Sequence, residues 1–393
     1  VKILYSAFDP VPWPKGSGTR IEATVRALAA AGATVHLHTP EPSRALEGFA
    51  RRLEVENVHH QPVPIDDEHF LDRVLAFRAS VEELLRSESF DAAIFRSPWE
   101  GLPIVKAVPR SVYEVHGFPS VELSSHYPAI ANAPRLLDRL IAEENFCLGQ
   151  SRLFLTPSGT SRHFLMRRGV SPEDIRIIPN SVELAEPEER IPTATTEPPY
   201  RIGYMGTLAP WQGIGLLLEA FAMLRREHDS RLVMVGTRKG RWTRPLLDMA
   251  RRLKVRSLLE FHGAAPKEEV WRILRSCDVL VAPLPNDPRN GLQGCCPIKI
   301  LEYMTLGRPI VSTKIAPVQE LLDDQRTAIL VSPGSASSLA WGLRKVLTDR
   351  ALAQGLADNA AEHVRSNFPR HRFASQISDV VSELGAMSDR NSS

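Results

Sequence analysis

Lys299 and Glu302 stand three residues apart in PIKILEYMTLGRPIV, so a helix over Pro297–Thr305 carries both on one face. Paired with each other on a surface they would contribute only a few tenths of a kcal/mol. Aimed at a cleft they do more: the carboxylate can accept both hydroxyls of a ribose, leaving the lysine or the helix N-terminus for phosphate. Spacing alone leaves both readings open. Upstream, GTLAPWQGIG and GTRKGRW each set a glycine, Gly206 and Gly236, directly after an apolar run and before a helical pattern. That arrangement brings backbone amides to phosphate oxygens, and Arg238 and Lys239 add the positive charge a diphosphate requires. As two basic residues alone they fit an ordinary solvated surface equally well.

In the first half, DPVPWPKGSGTRIEA places Gly16 and Gly18 before an amphipathic helix, again suited to an anion at a helix N-terminus. As a dinucleotide fingerprint it is incomplete, because Ile21 stands where a third glycine belongs, although Glu41 could imitate the ribose-binding acid. A plain structural turn is the other reading. FRSPWEG and YEVHG bring Arg96, Ser97, Glu114 and His116 to strand ends, where a histidine can bond a sugar hydroxyl or polarise a reacting group. A loop histidine satisfied by backbone is the alternative. His36 and His38 share one strand face and are expected to cap hydrogen bonds near the strand end; HHQPVPIDDEH, residues 59–69, reads as a solvated loop. No metal site is expected, and no Asp-x-Asp closes a strand.

The elements that must position these residues follow from periodicity. Short Val/Ile/Leu runs alternate with amphipathic stretches, the pattern of parallel strands with crossover helices. Strands are expected at 2–6, 34–39, 91–96, 111–115, 152–156 and 175–178, then at 200–205, 231–235, 258–262, 278–283, 309–312 and 328–331. Helices are expected at 19–31, 70–86, 135–148, 158–168 and 372–384. Between the two sets, ELAEPEERIPTATTEPP carries four prolines and almost no bulky apolar residue, and so reads as a linker with a boundary near residue 190. The expected domains are 1–190, 191–369 and a helix over 370–385 that packs back on the first, with 386–393 frayed. Length agrees: 393 residues are enough for two cores.

Forty-eight basic and 46 acidic side chains leave a net charge of +2, so the totals carry no nucleic-acid footprint. No run of eighteen apolar residues occurs, and VKILYSAFDP reads as a buried strand rather than a signal peptide, so a cytoplasmic protein is expected. The four cysteines fall at no metal-ligand spacing, which suits a reduced compartment.

In order and content the motifs resemble glycosyltransferase family 4, the retaining nucleotide-sugar transferases. The resemblance runs through KGSGTR, YEVHG, LTPSGTSRHFLMRRGVSPEDIRIIPNSVE, YMGTLAPWQGIGLLLEAF, LVMVG, LEFHG, SCDVLVAPL and PIKILEYMTLGRPIV. It implies an α/β chain of the GT-B fold: two facing Rossmann-like, doubly wound parallel-sheet domains with an interdomain cleft. It maps the family's ribose-binding glutamate onto Glu302 and its histidine near the anomeric carbon onto His116. The family's other glutamate would fall at 294, where Gly294 stands; backbone amides from Gly294 through Cys295 and Cys296 would then hold the sugar. Thr207 and Gln212 stand where the family usually has Arg or Lys, which shifts the diphosphate charge to Arg238, Lys239 and Lys299. Gly16, Gly18, Gly206, Gly236 and Gly263 complete the implied donor set, and Arg20, Arg96 and Glu114 are the implied acceptor residues.

The implied activity is a metal-independent transfer of a hexose-like sugar from a UDP- or GDP-sugar to an acceptor hydroxyl with retention, no cofactor being needed. The donor domain is the second and the acceptor domain the first. Nucleic acid is not an expected partner. The acceptor is a small molecule, a glycan or a lipid-linked molecule, with association to a membrane surface left open. A nucleotide-sugar epimerase or hydrolase of the same fold, or a non-catalytic sugar-binding relative, are the alternatives.

Overall fold

Two all-parallel sheets take up the apolar runs. A computed structural model describes residues 1–13, 15–41, 52–65, 69–184, 198–236 and 240–387. In the first sheet, β1 (Lys2–Ser6), β2 (Thr34–His38), β3 (Val58–His60), β4 (Ala92–Phe95), β5 (Ser111–Glu114), β6 (Leu153–Thr156) and β7 (Ile175–Ile177) lie in the order 3-2-1-4-5-6-7. In the second, β8 (Tyr200–Met205), β9 (Ser230–Val235), β10 (Leu259–His262), β11 (Val279–Ala282), β12 (Ile310–Thr313) and β13 (Ile329–Val331) lie in the order 10-9-8-11-12-13. Helices cover both faces of such sheets, which is why central strands such as AAIF and VLVA are apolar throughout and buried at every position.

In each sheet the winding reverses beside its first strand, between β1 and β4 and between β8 and β11. Loops leaving the carboxyl ends there diverge to opposite faces and open a crevice. Ser6, Arg96 and Glu114 lie at that edge of the first sheet; Gly206, Gly236 and Pro283 lie at that edge of the second.

The chain divides into two compact units, residues 1–179 with 371–393 and residues 180–370. The division precedes the proline-rich segment instead of falling at 190, because Asn180 and Val182 are held inside the second unit. Asn180 Nδ2 donates to the Cys296 carbonyl at 2.7 Å, and Val182 bridges to Pro369. Residues 185–197, most of the expected linker, lie outside the described residues, as do 388–393 of the expected frayed tail. The helix Arg370–Ala386 inserts Phe373, Ile377, Val380 and Leu384 into the first unit's core beside Ile3, Tyr5, Val25 and Ile94.

Two local expectations are corrected. Residues 58–60 form an edge strand, not a solvated loop: although Val58 is its only apolar residue, His60 is fixed from both ring nitrogens. Its Nδ1 accepts from the Leu53 amide at 2.9 Å and its Nε2 lies 3.0 Å from Thr39 Oγ1. The first helix begins at Gly16 instead of Thr19, because Lys15 is already extended at the N-cap and its carbonyl accepts from the Thr19 amide at 3.0 Å. Among the described residues no helix is long and apolar enough to cross a membrane.

Candidate functional site

In the second unit the short helix Ile298–Thr305 is fastened to the sheet by Tyr303. The Tyr303 hydroxyl accepts from the Met205 amide at 2.7 Å and donates to the Val281 carbonyl at 3.4 Å, which pins the helix over the ends of β8 and β11. Ile300, Leu301 and Met304 bury its other side. Lys299 and Glu302 are thereby left on the side the core does not take.

They are not an ion pair. The Lys299 ammonium donates to Gln212 Oε1 and to the Tyr204 hydroxyl at 3.3 Å, and lies 4.4 Å from the centre of the Tyr204 ring. Among the described residues no carboxylate comes within ion-pair distance of it. Burial, then the nearby Arg289 guanidinium, pushes it down to about 7. The Glu302 carboxylate accepts no hydrogen bond among the described residues, and burial pushes it up to about 7. Uncompensated charges a turn apart are costly in a folded chain, and such costs concentrate at functional sites.

The glycine turns lie beside this helix. Gly206 and Gly236 both have φ near +140°, outside the range of ordinary side chains. A Cβ on Gly236 would fall 2.4 Å from the Gly206 carbonyl oxygen, and one on Gly206 would fall 2.9 Å from Lys299 Nζ and from the Tyr204 hydroxyl. Two peptide turns and an ammonium therefore meet where no side chain fits between them. Thr207 lends its carbonyl to the Tyr204 hydroxyl at 2.8 Å, while Gln212 orients Lys299. Gly294, at φ +83°, follows the π-helix Pro288–Gln293. Asp287 caps that turn through the Asn290 amide at 2.7 Å, and Asn290 Nδ2 donates to the Trp211 carbonyl at 2.9 Å. The loop that carries Gly294, Cys295 and Cys296 is thus tied to the β8 loop and to Asn180, whose Oδ1 is buried without a partner. Gly263 has open space at its Cβ position. Arg238 and Lys239 lie outside the described residues.

The first unit holds a second cluster. Glu114, wholly buried at the end of β5, accepts from the Tyr5 hydroxyl and from Arg20 Nε at 2.7 Å. Arg96 Nε lies 3.6 Å away and His116 Nε2 3.2 Å away. Arg20 reaches on to the carbonyls of Ile178 and Pro179, and Arg96 to Asp9 at 3.4 Å. Burial works to raise the Glu114 carboxyl, yet Arg20, His116 and Arg96 together hold it well below the usual carboxylate range. Burial, then Arg96, pushes His116 down to about 4, so its ring is neutral at physiological pH. Arg20 and Glu114, expected to touch an acceptor, are instead buried and turned toward each other, each the other's counter-ion at 2.7 Å. Gly16 and Gly18 belong to this unit, not to the turns around Lys299. Gly18 is required by the Trp13 carbonyl, 2.5 Å from where its Cβ would stand.

Sequence reasoning missed Tyr5, Tyr204, Tyr303, Asn180 and Asn290. Tyr204, Tyr303 and Asn180 sit inside motifs that drew attention, YMGT, EYM and IPNS, without being singled out there; Tyr5 lies in an apolar run and Asn290 in a loop. Among the described residues no group of three His, Cys, Asp or Glu side chains could hold a metal ion.

Two family models cover most of the chain: Glycosyltransferase Family 4 over residues 14–186 and Glycosyl transferases group 1 over residues 185–363. An uncharacterized glycosyltransferase of Methanocaldococcus jannaschii is 27% identical over 177 residues, 45% of this chain and 43% of that protein. The chain thus matches less than half the length of this curated relative. Among solved structures, sucrose-phosphate synthase from Thermosynechococcus elongatus superposes with a TM-score of 0.79 at 18% identity, covering 98% of this chain and all of that one. Anabaena HepE in complex with UDP and glucose superposes at 0.70 and 16% identity, covering 97% and 99%. At such identities the superpositions establish the GT-B fold. With two sheets of Rossmann-like order, and models that meet between residues 185 and 186, the chain belongs to glycosyltransferase family 4.

Proposed function

We propose that this protein transfers a sugar from a nucleoside diphosphate sugar, UDP- or GDP-linked, to an acceptor hydroxyl, with retention of anomeric configuration and without a metal ion. One observation carries the reading: a lysine with no carboxylate partner among the described residues is pressed against a glycine turn at the switch point of the second sheet, one helical turn from an unbonded carboxylate. A nucleoside diphosphate satisfies all three at once. Its ribose hydroxyls donate to Glu302, and its phosphates take Lys299 and the amides of the Gly206 and Gly236 turns. The UDP and glucose in HepE, a protein of this fold, support the same class of donor.

Breaking the bond between sugar and diphosphate puts negative charge on the leaving oxygen, and a cation with preorganised amides stabilises that charge where it develops. The leaving phosphate takes the acceptor's proton on the same face, so no carboxylate nucleophile is needed. His116, neutral and near a strand end of the first unit, bonds a sugar hydroxyl. The loop around Gly294 to Cys296, tied down by Asn180, offers backbone donors to the sugar.

The test is a thermal-shift screen with UDP and GDP, since a nucleotide bound only by the folded protein stabilises it by about 2.7 kcal/mol at a hundredfold excess over Kd. One of the two should raise Tm, and Glu302→Ala should remove the rise. An unchanged rise in that variant excludes Glu302 as the ribose contact; no rise with either nucleotide excludes the donor class.

A further inference from the structure

We propose that Glu114 is the positioning residue for His116: it fixes the imidazole as the Nε2–H tautomer, so that Nδ1 meets the ligand as a hydrogen-bond acceptor. What Nδ1 meets rests on the sugar-transfer reading above; the tautomer rests on the geometry of the first unit alone.

Glu114 is wholly buried, and its oxygens face Tyr5 OH, Arg20 Nε, Arg96 Nε and His116 Nε2. Two guanidiniums and a phenol around one carboxylate keep it ionised, and an ionised carboxylate only accepts. His116 Nε2 is itself buried, makes no hydrogen bond of good geometry among the described residues, and has the Glu114 Oε1 charge 3.2 Å away. A bare Nε2 lone pair there would face a full negative charge at contact distance, whereas an N–H is attracted to it. The proton of the neutral ring therefore sits on Nε2, and Nδ1 is left with a lone pair on a side chain that is 22% exposed.

The carboxylate cannot drift from this place. Arg20 is anchored by the Ile178 and Pro179 carbonyls at 2.9 and 3.1 Å and stacks 4.6 Å from the centre of the Phe373 ring. Glu114 is held by a cation that is itself held at three further points. The consequence is selective: a bare Nδ1 receives the hydrogen of a hydroxyl and repels the oxygens of a phosphate or carboxylate. His116 thus recognises a sugar hydroxyl and leaves the anionic end of the donor to other groups.

Two-bond proton–nitrogen correlation spectra of the full chain, labelled at histidine and recorded from pH 6 to 8, report the tautomer directly. His116 is identified by the signals missing from His116→Asn. The expected spectrum has Nε2 protonated and Nδ1 bare throughout this range, in the wild-type protein with no ligand added. Glu114→Gln, whose amide can donate as well as accept, should replace this single form by a mixture. A wild-type ring protonated at Nδ1, or an unchanged ring in a folded Glu114→Gln variant, overturns the assignment. An Nε2–H ring in a protein that binds no nucleoside diphosphate upholds the tautomer and overturns the sugar-transfer reading instead.

Discussion

Lys299 shows at the level of one side chain how binding and stability are set against each other. With its ammonium among an amide oxygen, a phenol and an aromatic face, it is pushed down to about 7 from an ordinary 10.5. The unfolded chain then binds more protons than the folded one between pH 7 and 10.5, so stability rises with pH across that window, and below it the full cost of burying the charge is present. Glu302 runs the other way. Its carboxyl is raised from 4.5 to about 7, so the folded chain binds the extra proton and stability falls as pH rises through that interval. Lys299→Met should therefore melt above the wild-type protein at pH 6, by about 2–4 °C for each kcal/mol relieved, with the advantage fading toward pH 10. The same variant should lose the nucleotide-induced rise in Tm. Melting curves across a pH series decide this; equal melting at pH 6 would mean the ammonium is not under strain. The sequence placed the two residues on one face but could not tell an ion pair from two separate charges. Gln212 and Tyr204, which draw the lysine away, lie 87 and 95 residues distant in the chain.

At the scale of elements, the turns after β8 and β9 are coupled through their lack of side chains. In Gly236→Ala the methyl meets a backbone carbonyl at 2.4 Å and an unfavourable φ, so it should cost about 1–3 kcal/mol and weaken nucleotide binding as well. In Gly206→Ala the same unfavourable φ applies, and the methyl meets the Lys299 ammonium and the buried Tyr204 hydroxyl, so displacing the lysine should lower nucleotide affinity beyond the loss of stability. Urea midpoints and nucleotide titrations of the two variants separate these effects; loss of stability without loss of binding in both would remove the turns from the site. Strands with an unbroken apolar run and clear punctuation were legible: YRIGYM, between two prolines and a glycine, has the expected bounds. The strand Val58–His60 was not, because a three-residue edge strand has one apolar residue and owes its place to His60 contacts. The helix Pro98–Ala107 carries its own start signal, a capping box of Ser97 and Glu100 with Pro98 at the first position.

For the molecule as a whole, the chain's last helix belongs to the first unit although it follows the second in sequence. Ile377→Ala, which empties a fully buried position among Ile3, Tyr5 and Val25, should cost about 2–5 kcal/mol. Hydrogen exchange followed by mass spectrometry should show faster exchange in peptides from β1, β4 and β5, and unchanged exchange in those from β8 to β12. Equal acceleration in both sheets would refute the assignment of this helix to one core. Arg20 packs against the same helix through Phe373, a residue more than 350 positions further along the chain, so the anchoring of Glu114 also depends on that helix.

Alternation of apolar and amphipathic stretches, the proline-rich break and the glycines after strands are local properties, and from them the sequence alone determined two doubly wound parallel sheets and the loops that bear chemistry. Which charges face one another was decided by tertiary structure. Glu114 and Arg20 are 94 residues apart, and nothing near either announces that they share a buried site. Their positions at a strand end and a helix start would equally suit two surface residues. Only the parallel packing of β1 beside β4, and of β4 beside β5, brings Tyr5, Arg96 and Glu114 to one edge, where the exclusion of water makes each the necessary partner of the next.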